Sequence, residues 1–259
     1  MVASDYAAEL TPEFEKFAAD ALALVDAAAV GPGARIVDVA AGPGTLSFLA
    51  ARRGAAVAAV DFAPEMIARL HERAAREGVG AIDARVADGC ALPFPDASFD
   101  AGFSMFGLMF FPDRARGFAE LLRVLRPGAQ AVVSSWVPMT RVPVLVDLFT
   151  ALRAELPSLP VGGASAPLAS AEDFTAEMRA AGFRDVAVTE VAHVLEAPSL
   201  ASMWESMLRT NAPLVLVRRG LGEAAWGPVG RGIFEALRAK HGEGAQRIAM
   251  IANLGTGRK

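Results

Sequence analysis

The sequence predicts an α/β fold: a doubly wound, mostly parallel sheet of seven strands, the last one antiparallel, with a helical cap. Three observations predict it. Short runs rich in Val, Ile and Ala alternate with segments carrying apolar residues at three- and four-residue spacing, the pattern of repeating strand and helix. The first of these runs, Arg35 to Ala40, passes at once into a glycine turn, Gly42-Pro43-Gly44. Late in the chain, runs at 185–195 and 247–259 are separated by far more sequence than a hairpin needs, so they read as an edge pair with an insertion between them.

Each element has its own signal. Residues 12–29 open with Thr11-Pro12 and place Phe14, Phe17, Ala18, Ala21, Leu22 and Val25 on one face, which predicts an amphipathic helix before the first strand. Strand 35–41 is β-branched and apolar apart from Arg35 and Asp38, as a buried parallel strand should be. Helix 44–53 follows the glycines, strand 56–62 closes on Asp61, helix 64–77 starts at Pro64 and strand 82–88 closes on Asp88. After strand 99–106, helix 113–126 carries the stripe Phe118, Leu121, Leu122 and Leu125 and is terminated by Arg126-Pro127-Gly128; strand 130–137 follows. Five prolines, at 138, 143, 157, 160 and 167, then leave one short helix near 142–155 and a Gly- and Ser-rich surface loop at 161–170. A helix at 170–181 leads to the late edge pair, and helical pieces within 199–245 carry Trp204, Met207, Leu208, Trp226, Phe234 and Leu237.

Composition bounds the partners. At 259 residues, 53% hydrophobic and with a mean hydropathy of +0.35, the chain is long and apolar enough for a large packed core. Charged residues interrupt every apolar stretch before a membrane span's length, so no membrane partner is expected. A formal charge of −4 and the lack of a basic run argue against nucleic acid. A single cysteine, Cys90, and three scattered histidines (His71, His193, His241) give neither a disulfide framework nor a metal site. The first residues lack the pattern of a secretory signal, which predicts a cytoplasmic protein.

The glycine turn carries the chemistry. Gly42 and Gly44 let backbone bend and approach a ligand, and Thr45 opens a helix whose free N–H groups face it. Asp61, at the end of the next strand, stands where a carboxylate accepts two ribose hydroxyls; otherwise it caps the Pro64 helix. A third glycine of the G-x-G-x-x-G pattern is replaced by Ser47, which disfavours a pyrophosphate cofactor. The segment Phe103 to Phe111, rich in Phe and Met, lies where open α/β sheets bind ligands and predicts an apolar acceptor pocket.

With VDVAAGPGT, AVDFAPEMI, VADGCALPFPDASFDAGFSMFGLMFF and LLRVLRPGAQAVVSSW in that order, residues 35–137 resemble the class I S-adenosylmethionine-dependent methyltransferases, in the small-molecule branch related to the ubiquinone/menaquinone C-methyltransferases. The family usually has Gly where this chain has Ala40 or Ala41. The resemblance implies a Rossmann-like fold and S-adenosyl-L-methionine as cofactor. Asp38 and backbone at Ala40 and Gly42 would receive its amino acid end, beside Gly44 and Thr45. Asp61 would take the ribose, Phe62 and Met66 the adenine faces, Asp88 and Gly89 the adenine edge. Ser104 and Met105 would lie near the sulfonium, and Tyr6 would fold over the cofactor.

The expected acceptor is a small apolar molecule, aromatic or polyketide-like, in a pocket lined by Phe106, Met109, Phe110, Trp136 and Trp204. His193 is the candidate general base if the acceptor needs one, its alternative being a half-buried strand residue. The expected organisation is a helical segment 1–34, a cofactor-binding core 35–137 and a remainder 138–259 with cap insertions at 138–170 and 199–245, all one domain, as monomer or homodimer. Two other readings stay open: a nicotinamide-dependent oxidoreductase, against which stand the missing glycine and the single tyrosine, and a non-catalytic cofactor-binding regulator.

Overall fold

The computed structural model describes residues 2–158 and 167–259, with side chains from Leu10 onward apart from residue 212. Its helices are α1 (Val2–Ala23), α2 (Thr45–Arg52), α3 (Pro64–Glu77), α4 (Arg114–Val124), α5 (Pro143–Glu155), α6 (Ala171–Ala180), α7 (Leu200–Thr210) and α8 (Ala212–His241). Its strands are β1 (Arg35–Val39), β2 (Ala56–Asp61), β3 (Ile82–Val86), β4 (Phe99–Ser104), β5 (Leu125–Trp136), β6 (Arg184–Ala197) and β7 (Gln246–Arg258). They form one seven-stranded sheet in the order β3-β2-β1-β4-β5-β7-β6. The pairs β2/β3, β1/β2, β1/β4 and β4/β5 are parallel, and β7 runs antiparallel to β5, from Gln130 opposite Arg258 to Trp136 opposite Ala252.

The chain leaves β1 for β2 and β3 on one side, then crosses back to β4 on the other. That reversal creates a crevice at the carboxyl ends of β1 and β4, the place where open α/β sheets bind ligands. Alternation along β1 sends Ile36 to one face and Val37 and Val39 to the other. On the first face they meet Phe48, Leu46, Leu70 and the end of α1; on the second, Phe118 and Leu121 of α4 and Phe174 and Met178 of α6.

The residues divide into two compact units. The larger holds Phe14–Val137, Ala166–Val191 and Ala252–Lys259; the smaller holds Met1–Glu13, Pro138–Ser165 and Ala192–Ile251. The smaller unit has its own core, in which Leu148 and Leu152 of α5 pack with Met203, Leu214, Ile233 and Leu237 of α7 and α8.

The structure corrects three boundaries. α1 starts at Val2 with Pro12 inside it and ends at Ala23; Ala27–Val30 is a separate 3-10 turn. Ala7, Ala8, Glu9 and Leu10 before the proline are strong helix formers, and a proline removes only one intrahelical bond. The sequence Arg126-Pro127-Gly128 does not follow the helix as a loop: α4 ends at Val124 and β5 already begins at Leu125, paired with Phe99 across a register shift. Strand β1 stops at Val39, because Ala40 turns into the left-handed region with φ 56°. Within α8 the chain breaks at Gly222 (φ 75°, ψ 159°). Of the expected surface loop, residues 161–166 lie outside the described residues; Ser170 caps α6 by accepting from the Asp173 amide.

Candidate active site

The loop after β1 is held by two carboxylates. Asp61, at the end of β2, is 6% exposed and reaches across to it: Oδ2 accepts the Gly42 amide at 2.8 Å and Oδ1 the Ala63 amide at 2.9 Å. Asp61 is therefore no helix cap; Ala63 is the N-cap of α3, without a side-chain bond. The Ala41 amide donates to Val60 at 3.0 Å, completing the tie between the loop and β2.

Asp38 lies beneath this loop, 1% exposed, and the Ser47 hydroxyl donates to its Oδ2 at 2.6 Å. Burial pushes the Asp38 carboxyl up to about 7; the Ser47 hydrogen bond opposes the shift, and the nearby Asp61 charge adds to it. Ser47 is itself fully buried, on the first turn of α2. Read from the sequence as an absent glycine, it is instead the partner of Asp38. The available signal was a small hydroxyl on the first turn of the helix, nine residues after a buried strand carboxylate.

The two glycines do different jobs. Gly42 (φ 56°) has nothing within 4 Å of where a Cβ would stand, so its face of the loop is open. Gly44 (φ 83°) is a packing glycine: a Cβ would meet Leu70 at 2.9 Å and Phe48 at 3.2 Å. Ala40 keeps its left-handed backbone despite its methyl group, and a Cβ at Gly107 would collide with that methyl. Thr45 is half-buried at the start of α2.

Around the loop stand the other expected residues. Phe62 is 78% exposed immediately after Asp61, and Met66 is half-buried on the first turns of α3. Asp88 is exposed, its Oδ1 accepting the Cys90 amide at 2.8 Å in a local turn, and the Phe111 ring lies against Gly89, where only hydrogen fits. The loop following β3 is fastened by α4. The Arg123 guanidinium donates to the carbonyls of Leu92 (3.0 Å) and Phe94 (2.9 Å) and pairs with Asp96 and Glu120, while Glu120 accepts the Leu92 amide at 2.8 Å.

At the end of β4, Ser104 is buried and accepts the Leu108 amide at 3.1 Å; Met105 is half-buried. Phe106 (φ 56°) donates its amide to Ser134 Oγ at 2.8 Å and stacks on Trp136 with centroids 4.1 Å apart. Phe14 and Phe17 meet both rings edge-on, closing a four-ring cluster. Phe110 is 70% exposed, whereas Met109 is buried with Leu108 and Phe118, which makes it a core residue rather than pocket lining. His193, half-buried on β6, and Trp204, on α7, belong to the smaller unit; the residues from Asp38 to Trp136 belong to the larger. The Tyr6 side chain lies outside the described residues. No grouping of His, Cys, Asp and Glu among the described residues could hold a metal ion, and no described helix is long and apolar enough to cross a membrane.

Comparison with known proteins agrees with this geometry. Residues 37–133 match the family model of the methyltransferase domain. An uncharacterised protein of Mycobacterium tuberculosis is 46% identical over 113 residues, 44% of this chain and 41% of its own length. The ubiquinone/menaquinone biosynthesis C-methyltransferase of Geobacter sulfurreducens is 35% identical over 173 residues, 60% of this chain and 66% of its own. The chain thus spans less than two thirds of the length of these relatives. The crystal structure of the [4+2]-cyclase SpnF superposes with a TM-score of 0.58 at 21% identity, over 95% of this chain and 80% of that one, and shares its fold. Residues 37–133 thus form a methyltransferase domain, with the strand order and glycine loop of a class I core, and the chain is similar there to the ubiquinone/menaquinone C-methyltransferases.

Proposed function

We propose that this protein transfers a methyl group from S-adenosyl-L-methionine to a small apolar acceptor. The observation that carries the reading is the loop from Ala40 to Gly44: open at Gly42, clasped by Asp61 and backed by a buried carboxyl at Asp38. These residues fit the cofactor. A buried carboxyl with no cationic partner among the described residues suits an ammonium group, and an exposed Phe62 beside a strand-end carboxylate suits a nucleoside.

In this reading Asp38 ionises when it receives the ammonium, and the backbone of Ala40, Gly42 and Gly44, with Thr45, holds the carboxylate end. Asp61 keeps lone pairs for the ribose hydroxyls after accepting its two amides. Phe62 and Met66 flank the adenine, Asp88 accepts from its amine and Gly89 donates to its ring; Ser104 and Met105 face the reacting centre, with Tyr6 over it. The bound cofactor supplies an electrophilic methyl group on sulfur. What the chain contributes is alignment of the acceptor in line with that bond and exclusion of water.

Phe106, Phe110 and Trp136 line the acceptor side, favouring an aromatic or polyketide-like molecule, and His193 serves as base where the acceptor carries a proton of high pKa. The insertions at 138–170 and 199–245 serve as the substrate cap, and the protein works in the cytoplasm as monomer or homodimer. Calorimetry with S-adenosylhomocysteine tests the reading: binding is expected, and its absence in folded protein overturns it. Asp61→Ala is expected to weaken that binding about tenfold or more, through loss of charge-assisted hydrogen bonds of about 1.5–3 kcal/mol. Unchanged affinity in a folded variant would reject the ribose assignment.

A further inference from the structure

The smaller unit carries an open cavity of about 330 Å³ with walls of Trp204, Trp226 and Phe234. The two indoles are nearly parallel, 14° apart with centroids separated by 6.3 Å, and Phe234 inclines to Trp204 at 50° across 6.3 Å. Gly230 makes this arrangement possible: a Cβ there would stand 3.0 Å from Trp226 Nε1, so the indole lies flat along its own helix only over glycine. Beside Gly227 the Arg231 guanidinium runs along the wall, its Nη1 3.8 Å from where a Cβ would stand.

We propose that this cavity binds a quaternary ammonium cation. Aromatic faces attract cations through their quadrupole, tryptophan most strongly, and a quaternary nitrogen has no N–H that would demand acceptors from such walls. Among the described residues, the cation contacts over rings lie on Phe48, Phe94 and Phe99; none lies on Trp204, Trp226 or Phe234, and Arg231 lines the cavity without stacking on them. The rim supplies the counter-charge. Glu205 and Glu235 face one guanidinium, Arg231, and while Glu235 is paired with Arg238, Glu205 makes no ion pair among the described residues. A carboxylate, Glu205, that has no ion pair among the described residues stands beside the aromatic walls and favours a soft cation over a neutral molecule of the same shape. The cavity uses none of the residues that hold the cofactor in the methyl-transfer reading.

The test uses the full chain with its indoles labelled with nitrogen-15, titrated with choline and with its neutral isostere 3,3-dimethylbutan-1-ol. The chain has three tryptophans, so Trp136 serves as internal reference. Trp204→Phe identifies one signal of the pair. Choline is expected to shift the Trp204 and Trp226 indole signals while Trp136 stays, with at least tenfold preference over the isostere. Glu205→Gln, an exposed and nearly isosteric change, is expected to weaken choline binding about threefold or more without altering the unliganded spectrum. Equal affinity for the two probes, shifts confined to Trp136, or no shift up to about 50 mM choline would each overturn the proposal.

Discussion

Ala40 holds a left-handed backbone that costs a residue with a Cβ about 1–2 kcal/mol, and its methyl fills the space that a side chain at 107 would need. Ala40→Gly removes the strain but adds unfolded-state entropy, so a net gain of about 0.5–1 kcal/mol is expected in denaturant unfolding. Gly107→Ala should be severely destabilising alone and largely tolerated with Ala40→Gly, a coupling of about 1 kcal/mol or more in a double-mutant cycle. Additive effects would refute the contact. Asp38 yields a pH prediction of definite sign. Its folded value of about 7 lies above the ordinary carboxylate value of 3.8, so folding favours the protonated form, and the stability this provides is complete below about pH 4 and lost as pH rises towards 7. Asp38→Asn is therefore expected to be more stable than the parent above pH 7, by a few kcal/mol at most, with the gap closing towards pH 4, while its cofactor affinity falls. A pH-independent gap would exclude Asp38 as the titrating group. The glycines and both carboxylates were legible as residues, because turns and strand ends demand them. Their bonds were not: neither the reach of Asp61 to the Gly42 amide nor the grip of Ser47 on Asp38 follows from spacing alone.

The elements of the alternating core were readable because each strand is uniformly apolar and each helix keeps a single stripe, as in α4, where Phe118 and Leu121 are fully buried. What escaped were junctions, where tertiary pairing outweighs local signals. Arg126-Pro127-Gly128 carries every mark of a helix stop, yet pairing with β4 draws Leu125 into β5. The loop following β3 is likewise decided from outside, by the Arg123 fork on the Leu92 and Phe94 carbonyls. Arg123→Lys keeps the charge but loses the planar fork, so a loss of about 1–2 kcal/mol of stability is expected, together with weaker cofactor binding through Asp88 and Gly89. Hydrogen exchange at residues 88–96 checks this, and unchanged protection there would show that the loop holds itself.

At the scale of the molecule, the smaller unit is assembled from three separated stretches of chain, and local periodicity does not reveal which distant helices share a core. The prolines and the long insertion point to a cap; the packing of α5 against α7 and α8 is set by tertiary contacts that no local signal carries. The sheet holds a related surprise, for β7 comes last in the sequence but lies between β5 and β6. Deleting residues 246–259 is expected to yield aggregates rather than a weakened enzyme, because it bares two long strand edges at once, and light scattering during refolding measures this. A soluble, monomeric truncation would show that those edges are covered some other way. The position of β7 also orders events at the ribosome. The strand that joins β5 to β6 is made after both, so this half of the sheet closes only once β7 has been made, and the nascent chain must keep two unpaired edges apart until then.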